Sequence, residues 1–343
     1  MKTASVRNPM NGNITRFAKI FILLLILITL FGRPAVAEES VGSSVNEEDL
    51  NGAQSWWVEI DQLFSPLWEK LERISVSDGD WFMVYKLPNQ VYALYEPYQE
   101  QSVISYLITG EETALLWDTG LGIGDIKACV ADLTDLPVTV LNSHDHFDHI
   151  GGNAQFEQVM CYNVDTAIER LTHGIPHEEL VEWINPDAIV NPPDNFSPDT
   201  FFTAGKAPTA TVEDGQMIDL GNRKLEIVYT PGHSNSCIIL IDEQNGLLFT
   251  GDTWYPGWLY LFPKEYSLAE YLETMRKVET VIREKNIQQI YPSHNVILTG
   301  TEMFHETMEF MERIENGQEE YEIINGNRLY ILDEIIGIMF IDQ

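Results

Sequence analysis

Three imidazoles fall within six residues at His144-Asp145-His146-Phe147-Asp148-His149. A packed core has no use for such a run. Each buried imidazole needs a partner, and a buried carboxylate costs several kcal/mol unless it is paired or coordinated. Metal binding is the chemistry these types serve, since imidazole and carboxylate are donors that zinc takes. A solvated His-rich loop is the bland alternative, and the spacing weighs against it. One short loop cannot easily surround a tetrahedral ion, so further ligands must come from elsewhere.

The elements that would bring them follow one pattern. Residues 138–141 (Val-Thr-Val-Leu) read as a short buried strand, and Gly151-Gly152 as the turn after the histidine run. Asp118 follows the apolar run 114–117, His233 follows 225–229 through Thr-Pro-Gly, Asp252 follows 247–249, and His294 follows 287–290 through Tyr-Pro-Ser. In each case a His or Asp stands at the end of an apolar run beside Gly, Pro or Ser. Any one of them alone reads better as a satisfied core histidine or a turn aspartate. Together they predict side chains from separate strand ends meeting at one edge of an α/β fold, where such folds keep their sites.

With WDTG at Asp118, HDHFDH at 144–149, TPGHS at His233, FTGD at Asp252 and PSH at His294, the chain resembles the metallo-β-lactamase-fold hydrolases over residues 91–300. The resemblance implies an αββα sandwich with a dinuclear metal site at one edge of the sheets. It implies two zinc ions, one held by His144, His146 and His233 and the other by Asp148, His149 and His294, with Asp252 between them. Asp118 would orient the metal loop by hydrogen bonds. Iron-binding flavoprotein relatives carry Glu where this chain has His146, which favours zinc.

The implied reaction is hydrolysis of a small-molecule acyl ester, thioester or lactone by hydroxide generated at the metals, with Asp148 or Asp252 relaying a proton. Tyr255 stands three residues past Asp252, the spacing at which lactonases place a carbonyl-polarising tyrosine. Trp254, Trp258 and Tyr260 are expected as apolar walls beside the metals, or else as core aromatics. Residues 214–271 also resemble, more loosely, the acyl-CoA thioesterase branch. β-Lactam hydrolysis is the alternative. It is disfavoured by Asp252, because dizinc β-lactamases carry Ser or Cys there. Phosphodiester hydrolysis and metal binding without catalysis stand behind both.

Composition bounds the rest. Residues 1–19 hold four bases and no acid, residues 20–31 are apolar, and Ala35-Val36-Ala37 is a small-x-small site, so residues 1–37 read as a signal peptide cut after Ala37. Twelve apolar residues fall short of the roughly 20 a membrane span needs. The expected location is periplasmic or secreted, with no membrane contact in the mature form. Cleavage would remove five of the 20 bases and leave 15 against 53 acids, a surface that repels nucleic-acid phosphates. Cys129, Cys161 and Cys237 lack framework spacing and read as buried apolar residues, with no disulfide expected.

Residues 38–54 read as a flexible acidic lead-in and 55–343 as one domain. Within it, residues 55–74 carry apolar residues near helical spacing and are expected to pack on the core. Strands are expected at 81–87, 91–95 and 103–108. Helices are expected at 125–133, 163–183, 267–285 and 301–315, and a closing hairpin around Asn325-Gly326. The long Pro/Asn-rich segment 185–208 is expected to lie over the site. His173, His177 and His305 match no motif and read as ordinary histidines.

Overall fold

The structure, a computed structural model, describes residues 70–341 apart from 263, 325 and 334. The signal peptide, the lead-in and most of the segment 55–74 lie outside the described residues. Short runs rich in β-branched and aromatic residues pair into the first sheet. Its strands β1 (Glu72–Ile74), β2 (Met83–Leu87), β3 (Val91–Tyr95), β4 (Ile104–Thr109) and β5 (Ala114–Trp117) run antiparallel in turn. β6 (Val138–Leu141) and β7 (Val159–Tyr162) then continue it in parallel. β8 (Gly174–Ile175) and β9 (Thr203–Ala204) pair with each other, and β10 (Ala210–Val212) closes the sheet beside β7.

The second sheet contains β11 (Met217–Asp219), β12 (Lys224–Tyr229), β13 (Ile238–Asp242) and β14 (Leu247–Gly251). Past β15 (Trp258–Leu261), it takes β16 (Gln289–Pro292), which runs parallel to β14. The two sheets face each other across aromatic residues. Tyr106 of β4 packs at 5.5 Å on both Phe249 and Tyr291, and its hydroxyl donates to the Pro292 and Ile297 carbonyls.

Helices cover the outer faces. α1 (Ile126–Leu133), capped by Asp125, buries Ile126, Cys129 and Val130 against the first sheet. After the short α2 (Phe147–Ile150), α3 (Asp165–His173) and α4 (His177–Leu180), the long α5 (Leu268–Glu284) starts at a Ser267/Glu270 capping box. It lays Leu272, Met275, Val278 and Ile282 on the second sheet, with α6 (Glu302–Glu315) beside it. Helix, sheet, sheet, helix is the αββα sandwich.

Three expectations needed revision. Residues 72–74, placed at the end of a helical stretch, form β1, because pairing with β2 outweighs local spacing. The single helix over 163–183 breaks after His173, where Gly174 takes φ +71° and Pro176 follows. The closing hairpin forms as β17 (Glu322–Ile324) and β18 (Asn327–Ile331), but it belongs to a third sheet. There β19 (Gly337–Phe340) joins it to β15. The three cysteines are buried and unbridged.

Glu96, one residue past β3, is a buried carboxyl that the sequence did not single out. Its Oε2 accepts from Trp81 Nε1 at 2.7 Å and its Oε1 from the Leu121 amide at 3.1 Å. Gly120, at φ +63°, leans on it so closely that a Cβ would lie 1.6 Å from Oε1. Glycine is what lets the turn after Asp118 close. Burial pushes Glu96 up to about 8, although both hydrogen bonds pull it down.

The folded state therefore holds this proton more tightly than the unfolded chain, whose carboxyl titrates near 4.5. The stability it contributes is full below that value and lost as pH rises towards 8. Through this group, the unfolding free energy of chelator-treated protein should drop by on the order of a few kcal/mol across that window. Glu96→Gln should remove this component of the slope, read by denaturant titration at a series of pH values. An unchanged slope in the variant would refute the assignment.

Candidate metal centre

The strand ends assemble the site as a sequence of loops. Asp118 follows β5 in the left-handed region at φ +63°, which turns its carboxylate under the histidine loop. It accepts from the Ser143 amide at 2.7 Å, the Ser143 hydroxyl at 2.8 Å and His149 Nδ1 at 2.9 Å. Gly251 closes β14 where the β14–β16 register shifts, and a Cβ on it would lie 2.6 Å from Ser143 Cβ. This close approach brings Asp252 to the same loop. One face of α5 secures two more: Tyr271 donates to the Thr253 carbonyl, and Thr274 donates to that of Pro231 at 2.5 Å.

The hydrogen-bond network assigns the imidazole tautomers. His149 donates from Nδ1 to Asp118. His294 donates from Nδ1 to the Gln101 carbonyl at 2.6 Å, and His233 from Nδ1 to the Tyr260 carbonyl at 3.2 Å. His144 Nδ1 meets the Ser143 hydroxyl at 3.0 Å, and that hydroxyl's own proton goes to Asp118. All four therefore turn Nε2 inward, where it presents a lone pair once the ring is neutral. His146 offers Nδ1, which lies 3.0 Å from His233 Nε2.

These atoms form three overlapping sets, each within 4.8 Å: His144, His146 and His233; His144, His149 and Asp252; and Asp148, His149 and His294. Asp252 sits among them, with Oδ1 at 3.0 Å from His294 Nε2 and 3.3 Å from His149 Nε2, and Oδ2 at 3.6 Å from His233 Nε2. Two buried atoms test whether cations fit. His144 Nε2 and Asp252 Oδ1 accept or donate no aligned hydrogen bond, although both point into the cluster. An unpartnered lone pair beside an unpartnered carboxylate oxygen is a pairing that a cation would satisfy. The donors fit zinc.

Electrostatics divides the cluster in two. Burial, reinforced by neighbouring imidazoles, holds His144 well below the usual range and lowers His233 to about 4. Burial lowers His146 as well. These three are neutral donors at neutral pH. At the other end burial is opposed and outweighed. Asp252, Asp148 and Asp118 raise His149, while Asp252 and Asp148 raise His294. Asp252 itself is held low against burial by His294 and His149.

Binding a cation there must expel the imidazolium protons. Zinc uptake at pH 7 should therefore release protons, measured as a dependence of the calorimetric enthalpy on buffer ionisation heat. Affinity at this end should weaken by roughly tenfold or more between about pH 7.5 and 6, while the three-histidine end changes less. Uptake with no proton release would contradict this division.

The structure thus brings together all seven sequence-derived donors and Asp118. It treats the aromatics differently. Tyr255 lies against His294 with ring centroids 4.9 Å apart, but its hydroxyl donates to the Trp258 carbonyl at 2.9 Å. The proton expected to polarise a substrate carbonyl is engaged within the protein here, and the ring packs behind His294. Trp254 is fully buried against Phe304 and bonded to Thr307, a core residue and not a wall.

The wall that sequence reasoning missed is Phe262, whose ring stands 5.8 Å from that of His233 and 6.2 Å from that of His146, the part-exposed ligand candidate. Its position just past the Trp258–Tyr260 run was the available signal. Ser143 also went unread although it adjoins the histidine run. The Gln101 and Tyr260 carbonyls have no sequence signal. Among the unmatched histidines, His177 bonds the Phe201 carbonyl and His305 pairs with Glu279, both away from the cluster.

A sequence model of the metallo-beta-lactamase superfamily matches residues 100–294. The chain is 26% identical over 230 residues to the human acyl-coenzyme A thioesterase MBLAC2, covering 63% of this chain and 81% of that protein. It is 28% identical over 130 residues to hydroxyacylglutathione hydrolase of Maricaulis maris, covering 38% and 39%. Among solved structures, DIM-1 metallo-beta-lactamase superposes with a TM-score of 0.49 at 13% identity, covering 71% of this chain and 100% of that one.

Proposed function

The chain belongs to the metallo-beta-lactamase superfamily, and from that premise we propose that it is a secreted dizinc hydrolase of acyl esters, thioesters or lactones. The observation that carries the reading is the inward turn of four Nε2 atoms around the under-bonded carboxylate of Asp252. In this reading His144, His146 and His233 would hold one ion, Asp148, His149 and His294 would hold the other, and Asp252 would be shared between them. When bound, such ions supply Lewis acidity, polarising a carbonyl and acidifying a water.

The chain's own residues do the remaining work. Asp118 and the Gln101 and Tyr260 carbonyls fix the imidazoles by taking their Nδ1 protons, which keeps each Nε2 a donor. Asp148, whose Oδ2 is 3.6 Å from His294 Nε2, is the group placed to move a proton to the departing oxygen or sulfur. Phe262 gives an acyl group an apolar surface beside His146. Acyl chemistry is supported by relatives named as thioesterase and hydroxyacylglutathione hydrolase, and by an aspartate at position 252.

Secretion rests on residues 1–37, with 38–54 as a lead-in and 55–343 as the catalytic domain. No helix of the described residues is long and apolar enough to cross a membrane. The test is a screen of zinc-loaded protein starting at Glu38 against a long-chain acyl thioester, S-lactoylglutathione, an acyl-homoserine lactone and nitrocefin. Turnover of the acyl substrates is expected. Turnover of nitrocefin alone would replace the reading with β-lactam hydrolysis.

A further inference from the structure

The chain's positive charge is scarce, and most of it is engaged in ion pairs. Every Lys or Arg after Arg33 lies at position 70 or beyond, and there are 15 of them. Arg170, whose charge bears on His146, is tied to Glu179 at 2.6 Å. Lys264, exposed two residues past Phe262, is followed directly by Glu265.

The flank of the cluster is acidic instead. Trp183 stacks on Phe147 of the histidine run at 5.1 Å, and its carbonyl accepts from Gln99. The Glu100 amide donates to the Ala188 carbonyl, and the carboxylate of Glu100 acts on Tyr260. These contacts set the middle of segment 174–205 beside the loop that carries Gln101, the anchor of His294. That segment contains six acids and no Lys or Arg. Five of them, Glu178, Glu182, Asp187, Asp194 and Asp199, are exposed and stand outside the ion pairs of the described residues.

A coenzyme A leaving group brings roughly four negative charges on its phosphates. Phosphate groups are held by Arg, Lys or clustered backbone amides. An acidic rim on a chain of net charge −33 repels them over a Debye length of about 10 Å at 0.1 M salt.

From this charge distribution we propose that the scissile ester or thioester carries an electroneutral leaving group, in contrast to the coenzyme A of the named relative. The inference rests on the acyl-hydrolase reading above and narrows it. The experiment holds the acyl chain constant and changes only the phosphates, comparing octanoyl-pantetheine with octanoyl-CoA on zinc-loaded protein. At low ionic strength kcat/KM should favour pantetheine by on the order of tenfold.

Raising salt to about 0.5 M should lift the CoA value several-fold and leave the pantetheine value within about twofold. The variant Glu178→Lys/Glu182→Lys/Asp187→Lys should raise the CoA value alone. Free pantetheine should also raise the melting temperature of the loaded protein more than free CoA does at low salt, a readout that needs no turnover. Equal or faster hydrolysis of the CoA ester at low salt, or a larger shift with CoA, overturns this inference and leaves the acyl reading intact. Hydrolysis of neither thioester, nor of an uncharged ester or lactone, overturns the acyl reading and this inference with it.

Discussion

Asp252→Ala should cost the protein about half its bound zinc or more, and on the order of a thousandfold in kcat/KM. The thousandfold figure corresponds to ~4 kcal/mol of lost transition-state stabilisation. Asp252 is the one carboxylate within 3.6 Å of imidazoles from both ends of the cluster. In the dinuclear reading its loss would remove a donor shared between the ions and the negative charge that would offset their mutual repulsion. His149 and His294 also lose a main source of their raised affinity for protons.

Because the Asp252 carboxyl is depressed in the folded state, it contributes stability above its unfolded value near 3.8, and that stability is lost as pH falls. The metal-free variant should therefore melt below the wild type at pH 7, and metal content must be read on gel-filtered, folded protein. Asp252→Asn keeps the shape without the charge and should fall between the two. Two zincs per chain and full turnover in the alanine variant would end the dinuclear assignment.

The site was legible because metal chemistry restricts residue types. Histidines and aspartates at the ends of apolar runs have few structural uses, so His233, Asp252 and His294 could be paired with a loop 84 to 150 positions away. The supporting contacts were less visible. The Nδ1 protons of His233 and His294 go to main-chain carbonyls at Tyr260 and Gln101, and a carbonyl looks the same at every residue.

Aromatic residues near a motif carry still less information. Trp254, Tyr255 and Phe262 all follow Asp252 within ten positions, yet one is core, one backs a histidine and one faces the opening. Which face each takes depends on β15 docking to β19, a strand nearly 80 residues downstream and not foreseen. The 163–183 segment failed for the opposite reason. Its helical periodicity is real in α3, but Gly174 and Pro176 override it locally.

The largest stability effect is expected far from any motif, at Arg223. This side chain is buried just before β12, with Nε 2.8 Å from Asp242 Oδ2 and Nη2 2.6 Å from the same oxygen, the latter off hydrogen-bond alignment. Its Nη1 donates to the Asn89 carbonyl at 2.8 Å and to that of Thr109 at 2.9 Å. Asn89 lies in the β2–β3 turn and Thr109 ends β4, so one guanidinium joins the first sheet to the second.

Arg223→Met would leave the fully buried Asp242 carboxylate with only Asn245 as partner and would orphan two carbonyls. Breaking a buried pair from one side costs about 3–5 kcal/mol, which for a domain of this size lowers the melting temperature by roughly 10 °C. Arg223→Lys should recover little, because a single ammonium cannot reach three acceptors in a fork. Arg223→Met/Asp242→Leu should recover most, since the stranded charge goes with its partner. Zinc content per folded molecule should not change, as none of these groups contacts a ligand candidate. A melting point within about 2 °C of wild type in Arg223→Met would show that the sheets are held without this bolt, and a loss of zinc at unchanged melting point would show that Arg223 acts on the site instead.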